Sequence, residues 1–430
     1  MIASRASLRV ALLAYRGNPH SGGQGVYVRH LARALTALGH QVEVFAGQPY
    51  PELDAGVAMT RVPSLDLYRP DDPFRTPNLR EFRDWIDVLE YGLMGTAGFP
   101  EPLTFSLRLR SVLGPRLSEF DVVHDNQCLG YGLLDLQRGG TPLIATIHHP
   151  IVVDRELDLA HARNRRERLV RRRWYGFTRM QGRVARRLRR VITVSEASRA
   201  DLVGRMGLDP ERLTVVPVAV DRDVFRPQPG VARVPGRILA MASADVPIKG
   251  LVPLLEAVAR LRTRRHAELV VVARPRIRSE IPATLRRLGV EDAVRFVSGI
   301  EDAELARLYA EAEVAVVPSL YEGFSLPAVQ AMASGVPLVA TTAGALPEVV
   351  GQDGVTGLLV PPGDAEAMAA ALQRALDDPE LRARLGQAAQ ARADARYSWA
   401  ATAAATVDQY RLLLDTSAGP RLEARPGLPD

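Results

Sequence analysis

The chain alternates short apolar runs with longer stretches in which apolar residues recur every three or four positions. Leu8–Tyr15 is such a run, Val26–Leu38 such a stretch, and His40–Ala46 a second run beyond the turn at Gly39. Short unbroken apolar runs suit parallel strands buried on both faces, and the periodic stretches suit the helices that cover them. Together these three predict a βαβ unit. The alternation continues through Asp121–Asp125, Pro142–His148 and Val191–Ser195. It stops over residues 221–236, a proline-rich segment without periodicity that reads as a linker. It resumes at Arg237, with further runs at Leu269–Ala273, Val294–Gly299 and Val314–Val317, and Ala365–Arg392 reads as Ala-rich helix. Two α/β units fit a chain of 430 residues, since domains commonly hold about 100–200. Residues Leu65–Gly114 depart from the alternation and read as an elaboration of the first unit, helical around Leu79–Leu93.

The run Val314–Val317 leads into Pro318-Ser-Leu-Tyr-Glu-Gly-Phe-Ser-Leu-Pro-Ala-Val-Gln330, and Ala328–Ser334 then reads as a helix with Pro327 in its first turn. Backbone N–H groups from Gly323 to Leu326 at the positive end of a helix dipole are suited to phosphate. Glu322 beside them can accept hydrogen bonds from hydroxyl groups such as those of a sugar; a solvated loop acid is the ordinary alternative. The loop after the first strand carries Gly22, Gly23 and Gly25, which let backbone approach a ligand closely. Their spacing is not that of a dinucleotide fingerprint, and Gly47-Gln48 stand where a ribose-binding acid would be. His148 ends the strand Pro142–Ile147, and ligands of open α/β sheets sit at such carboxyl ends. A histidine there can donate to a sugar hydroxyl, with His149 as its local competitor.

Composition narrows this picture. A single cysteine, Cys128, permits no intrachain disulfide and suits a reducing cytoplasm. The apolar run Val10–Ala14 after Arg5 and Arg9 is too short for a signal peptide, and no segment approaches the roughly 18 apolar residues of a membrane span. A net charge of +6 admits anionic nucleotides, lipids or nucleic acid. Of 55 basic residues only Lys249 is a lysine, which singles it out for attention. Arg163–Arg190 holds thirteen arginines and one acid, Glu167, interleaved with apolar residues. The leading reading is a long helix with one buried stripe and a solvated face. Peripheral contact with an anionic membrane surface is second, and nothing in it resembles a nucleic-acid motif.

Glu322-Gly-Phe-Ser-Leu-Pro327, followed by Ala331-Met-Ala-Ser-Gly-Val-Pro-Leu-Val-Ala340, resembles the signature of the family-four retaining glycosyltransferases, and the resemblance runs along nearly the whole chain. In that family the loop reads Glu-Gly-Phe-Gly-Leu-Pro, and a second Glu follows after seven residues; here Ser325 and Gln330 occupy those positions. The resemblance implies the GT-B architecture, two facing Rossmann-like domains with parallel sheets and a C-terminal crossover helix. The boundaries expected are 1–220 for the acceptor-side domain, 221–236 for the linker and 237–397 for the nucleotide-sugar domain. Residues 398–416 would form the helix crossing back, and 417–430 a tail. The activity implied is transfer of a hexosyl group from a nucleoside diphosphate sugar, a co-substrate, to a hydroxyl of a carbohydrate or lipid-linked acceptor. Anomeric configuration would be retained, with neither cofactor nor metal.

By the same resemblance Glu322 would hold sugar hydroxyls, Lys249 and the N–H groups of Phe324, Ser325 and Leu326 the diphosphate, and Gln330 the ribose. Gly299 would meet the base through backbone, Gly23 would approach the phosphates, and His148 would lie near the transferred sugar. The family's second diphosphate-binding residue, an Arg, falls on Ala244, with Arg274 the nearest substitute. The family's Pro-Asn-Gly-Val-Asp turn becomes Pro217-Val-Ala-Val-Asp221. These departures keep a catalytically degenerate binding protein, or a GT-B-like epimerase or phosphorylase, as alternatives. The expected location is cytoplasmic, or peripheral at the inner face of the membrane.

Overall fold

The structure, a computed structural model, describes residues 7–18, 23–69, 72–160, 162, 164–242, 246–275 and 279–417. The first sheet contains β1 (Arg9–Ala14), β2 (Gln41–Ala46), β3 (Ala58–Arg61), β4 (Val122–Asn126), β5 (Leu143–Ile147), β6 (Arg190–Thr193) and β7 (Leu213–Val215). They lie in the order β3-β2-β1-β4-β5-β6-β7, all parallel. The second sheet contains β8 (Arg237–Ala240), β9 (Glu268–Val272), β10 (Val294–Val297), β11 (Val314–Val317), β12 (Leu338–Thr341) and β13 (Leu358–Val360). Their order is β10-β9-β8-β11-β12-β13, again all parallel. Strands β4, β5, β11 and β12 are buried along their whole length; β11 is apolar throughout, whereas β4 also buries His124, Asp125 and Asn126 at its carboxyl end.

Eight helices are described in the first half: α1 (Gln24–Ala37), α2 (Trp85–Gly95), α3 (Glu101–Val112), α4 (Gly132–Arg138), α5 (Val152–Ala160), α6 (Arg165–Trp174), α7 (Phe177–Ala185) and α8 (Glu196–Met206). The second half has α9 (Leu251–Arg262), α10 (Ile281–Leu288), α11 (Asp302–Glu311), α12 (Leu326–Ala333), α13 (Leu346–Val350), α14 (Ala365–Asp377), α15 (Pro379–Arg396) and α16 (Trp399–Ser417). Two expectations change here. The single Ala-rich helix is two, because Asp378 caps a new helix through the Leu381 N–H and Pro379 opens it. The basic stretch is likewise not one helix. It breaks at Tyr175-Gly176, and α7 buries Met180 and Val184 while no residue of α6 is buried.

The last helix, α16, returns to the first sheet. Its Tyr410 hydroxyl lies 2.7 Å from Nδ1 of the buried His124 on β4, and Thr402 Oγ1 donates to the Pro217 carbonyl at 2.9 Å. One apolar cluster therefore runs from Val10 and Leu12 through Phe324 and Val329 to Trp399 and Tyr410. Each sheet reverses its strand order once, between β1 and β4 in the first and between β8 and β11 in the second. Such reversals open a crevice at the carboxyl ends of the strands, and the loops flanking both crevices carry the sequence motifs.

Candidate active site

The loop after β11 and the loop after β8 are joined by a hydrogen bond from Leu320 N–H to the Ile248 carbonyl at 2.7 Å. Their close approach needs Gly250, with φ at 66°, since a Cβ there would lie 1.9 Å from the Pro318 carbonyl oxygen. The junction brings Lys249 Nζ to 2.9 Å from Glu322 Oε1, and Ser319 Oγ donates to the same oxygen at 2.6 Å. Glu322 is nearly buried, while the lysine side chain is about one-third exposed at 35%. Two residues expected to serve sugar and diphosphate separately are thus an ion pair. Ser319 escaped the sequence reading; its place three residues before the acid is the signal that could have found it.

On its other side the Glu322 carbonyl accepts from the Ala345 N–H at 2.9 Å. A Cβ on Gly344 would sit 2.2 Å from that carbonyl oxygen. Ser325 caps α12 through the Ala328 N–H, yet it holds φ at 97° and ψ at 83°. The family's glycine position has kept a glycine's backbone conformation with a serine in it, a strain of roughly 1–3 kcal/mol. One turn into α12, Gln330 is half-buried, and its Oε1 is sealed from solvent with no hydrogen-bond partner among the described residues. Such an acceptor costs about 1–3 kcal/mol until a donor reaches it.

Gly23 caps α1 with φ at 69°, and a Cβ there would lie 3.8 Å from Leu326 Cδ1 of the second domain. The glycine loop and the signature loop therefore face each other. Gly25 is required for a different reason: a Cβ would strike the Asn18 carbonyl oxygen at 2.3 Å, so it lets the loop fold on itself. Gly22 and Ala244 lie outside the described residues. Gly299, with φ at 70°, follows the edge strand β10 and has open space about it. Arg274 is exposed beyond β9.

His148 is set by residues the sequence reading passed over. Gln127 Oε1 accepts from the His148 N–H at 2.7 Å, and the Tyr27 ring meets the imidazole edge-on at 4.4 Å. Nε2 lies 2.6 Å from Asn126 Oδ1, and the Asn126 amide in turn donates to the Gln24 carbonyl. An amide oxygen only accepts, so Nε2 carries the proton and Nδ1 is left as an acceptor. The expectation of a donating histidine is corrected: Nδ1 can take a hydrogen bond from a hydroxyl. Burial pushes the imidazole down to about 3, so the ring is neutral. His149 is engaged elsewhere, at 2.7 Å from Asp154 Oδ2.

A family profile described as Glycosyltransferase Family 4 matches residues 21–224, and one described as Glycosyl transferases group 1 matches residues 235–378. The chain is 55% identical over 404 residues to an MMP alpha-(1->4)-mannosyltransferase of Mycolicibacterium hassiacum, covering 94% of this chain and 98% of that one. It is 31% identical over 438 residues to D-inositol 3-phosphate glycosyltransferase 2 of Catenulispora acidiphila, covering 94% of each. Among solved structures, sucrose-phosphate synthase from Thermosynechococcus elongatus superposes with a TM-score of 0.73 at 24% identity, covering 95% of this chain and 100% of that one. Anabaena HepE in complex with UDP and glucose gives 0.67 at 18%, covering 94% and 99%.

Proposed function

The chain belongs to glycosyltransferase family 4 and is a glycosyltransferase of GT-B fold, and from that premise we propose that it moves a mannosyl group from a nucleoside diphosphate sugar to a carbohydrate hydroxyl. The transfer retains anomeric configuration and needs no metal. The mannosyl group and an α-(1→4) linkage rest on the name of the relative at 55% identity. One observation carries the site: Lys249, Glu322 and the N-terminus of α12 converge at the carboxyl end of β11, and Gln330 with its unsatisfied oxygen follows one turn into that helix.

In this reading Lys249 leaves Glu322 for the diphosphate, and the N–H groups of Phe324, Ser325 and Leu326 take its remaining charge. Cations and helix N-termini aimed at developing charge stabilise a leaving group without reorganisation. Glu322, still held by Ser319, then accepts from sugar hydroxyls, and His148 Nδ1 accepts from another. Gln330 Oε1 accepts from the ribose, and Gly299 contributes backbone near the base. Gly23 approaches the diphosphate from the first domain.

Protein incubated in EDTA with GDP-, UDP- and ADP-mannose in turn tests this reading. Release of nucleoside diphosphate that depends on an added α-(1→4)-linked oligomannoside is expected with one of the three. Loss of release on chelation, restored by a divalent cation, contradicts the metal-independent form.

Within Arg163–Arg190, α6 is the part best suited to contact with an anionic membrane. Arg165, Arg166, Arg168 and Arg172 have no carboxylate partner among the described residues, and Leu169 beside them is 68% exposed. By contrast Arg171 binds Glu167, and Arg173 reaches Thr96. No helix among the described residues is long and apolar enough to cross a membrane.

A further inference from the structure

The loop that carries Glu322 belongs to the second domain but is fastened to the first. The Gly323 carbonyl accepts from Ser195 Oγ at 2.6 Å and from Ser198 Oγ at 3.0 Å, and both serines are completely buried. Ser195 is also the N-cap of α8, taking the Ser198 N–H at 3.0 Å. Two residues earlier, the Tyr321 hydroxyl donates to Asp201 of α8 at 2.6 Å. The contact demands glycine at 323, because a Cβ there would meet the His148 carbonyl oxygen at 2.7 Å. The first domain has thus built a receptor for one peptide group of the second.

That peptide group has two ends. A peptide is planar and trans, so its carbonyl and the following N–H point in opposite directions. The N–H across from the Gly323 carbonyl is that of Phe324, for which no protein acceptor exists among the described residues. Fixing the carbonyl fixes the line along which the N–H points. Two hydroxyl donors on the carbonyl also polarise the amide and strengthen its N–H as a donor.

We propose that Ser195 and Ser198 are positioning residues that, on closure of the cleft, grip the Gly323 carbonyl and so aim the Phe324 N–H at the leaving diphosphate. Closure and assembly of the diphosphate site become one event. With the cleft open, water takes the carbonyl and the peptide is free to rotate. The inference rests on the reading of Phe324 as a diphosphate ligand. The clasp itself rests on the distances alone.

The full-length chain carrying Ser198→Ala, Ser195→Asp or both tests it. Aspartate preserves a helix cap but sets a carboxylate against the Gly323 carbonyl, so it breaks the clasp without uncapping α8. The expected result is a kcat lower by about 10-fold in the double variant, less than for outright loss of an oxyanion donor because the N–H is mis-aimed and not removed. Calorimetric affinity for whichever of GDP, UDP or ADP binds the wild type should stay within about threefold, since closure follows docking of the nucleotide. Small-angle scattering of the double variant with that nucleoside diphosphate bound should show a larger radius of gyration than the wild type so loaded. Wild-type kcat and radius of gyration in both single variants and the double variant overturn the proposal. So does a fall in melting temperature with both of those unchanged, which would make the serines structural only. If no mannose donor is turned over by the wild type, the donor reading fails on its own, and scattering still decides the clasp.

Discussion

Glu322, Lys249 and Gln330 carry the account at the scale of single residues. Lys249→Ala should lower kcat by about 10²-fold, the scale of losing one preorganised charge stabiliser; an unchanged turnover in folded protein would show that the diphosphate is held otherwise. Glu322→Ala removes the carboxylate but leaves Lys249 in place. Transfer should fall while affinity for the bare nucleoside diphosphate stays nearly intact by calorimetry. Gln330→Leu should weaken sugar nucleotide and bare nucleotide alike, whereas Gln330→Glu should tighten both by roughly 1 kcal/mol as the hydrogen bond becomes charge-assisted. The opposite pattern, with Glu322→Ala weakening the bare nucleotide as much as the donor, contradicts the division of labour. His148 gives a pH test. Burial disfavours its imidazolium and lowers its pKa to about 3, so its proton uptake belongs to the unfolded chain between roughly pH 6.5 and the folded value. Its nitrogen-15 shifts should hold at the neutral Nε2–H tautomer down to pH 5. A titration midpoint near 6.5 would show a solvated ring.

At the scale of elements, the strands and the signature loop were legible because their patterns are local. Apolar runs marked β1 and β11, runs ending in polar residues marked β4 and β5, and the signature at Glu322–Pro327 marked the turn into α12. What sequence could not give is which loops meet. The Lys249–Glu322 pair depends on a backbone hydrogen bond between loops some seventy residues apart, and His148 depends on Asn126 and Gln127 of a neighbouring strand end. The break in the basic stretch was also passed over, since arginine is a good helix former and Gly176 is the one residue at the break that disfavours helix. Two predictions belong here. Ser325→Gly exchanges a strained serine at φ 97° for a residue at ease there and loses a weak cap worth a few tenths. It should stabilise the protein by about 1 kcal/mol, read as a higher denaturant midpoint at unchanged slope; a lower midpoint would show that the cap outweighs the strain. Replacing Arg165, Arg166, Arg168 and Arg172 with Gln should abolish sedimentation with phosphatidylserine vesicles at low salt, as should high salt on the wild type. Wild type that stays in the supernatant at low salt leaves α6 as a solvated surface helix.

At the scale of the whole molecule, two switch points face each other and α16 ties the chain's end to the first sheet. In the site proposed, the first domain supplies Gly23, His148 and the serine clasp, and the second supplies Lys249, Glu322, the α12 N-terminus and Gln330. Neither holds a complete site. The sequence offers candidates in each half, but their joining is a property of the folded pair. The central claim is retaining transfer at that junction, and proton NMR of the product reads it most directly. Protein is mixed in EDTA with the mannose donor it turns over and an α-(1→4)-linked oligomannoside. A new α-anomeric signal growing in step with released nucleoside diphosphate is expected. A β-anomeric product, or free mannose with no new linkage, would contradict it.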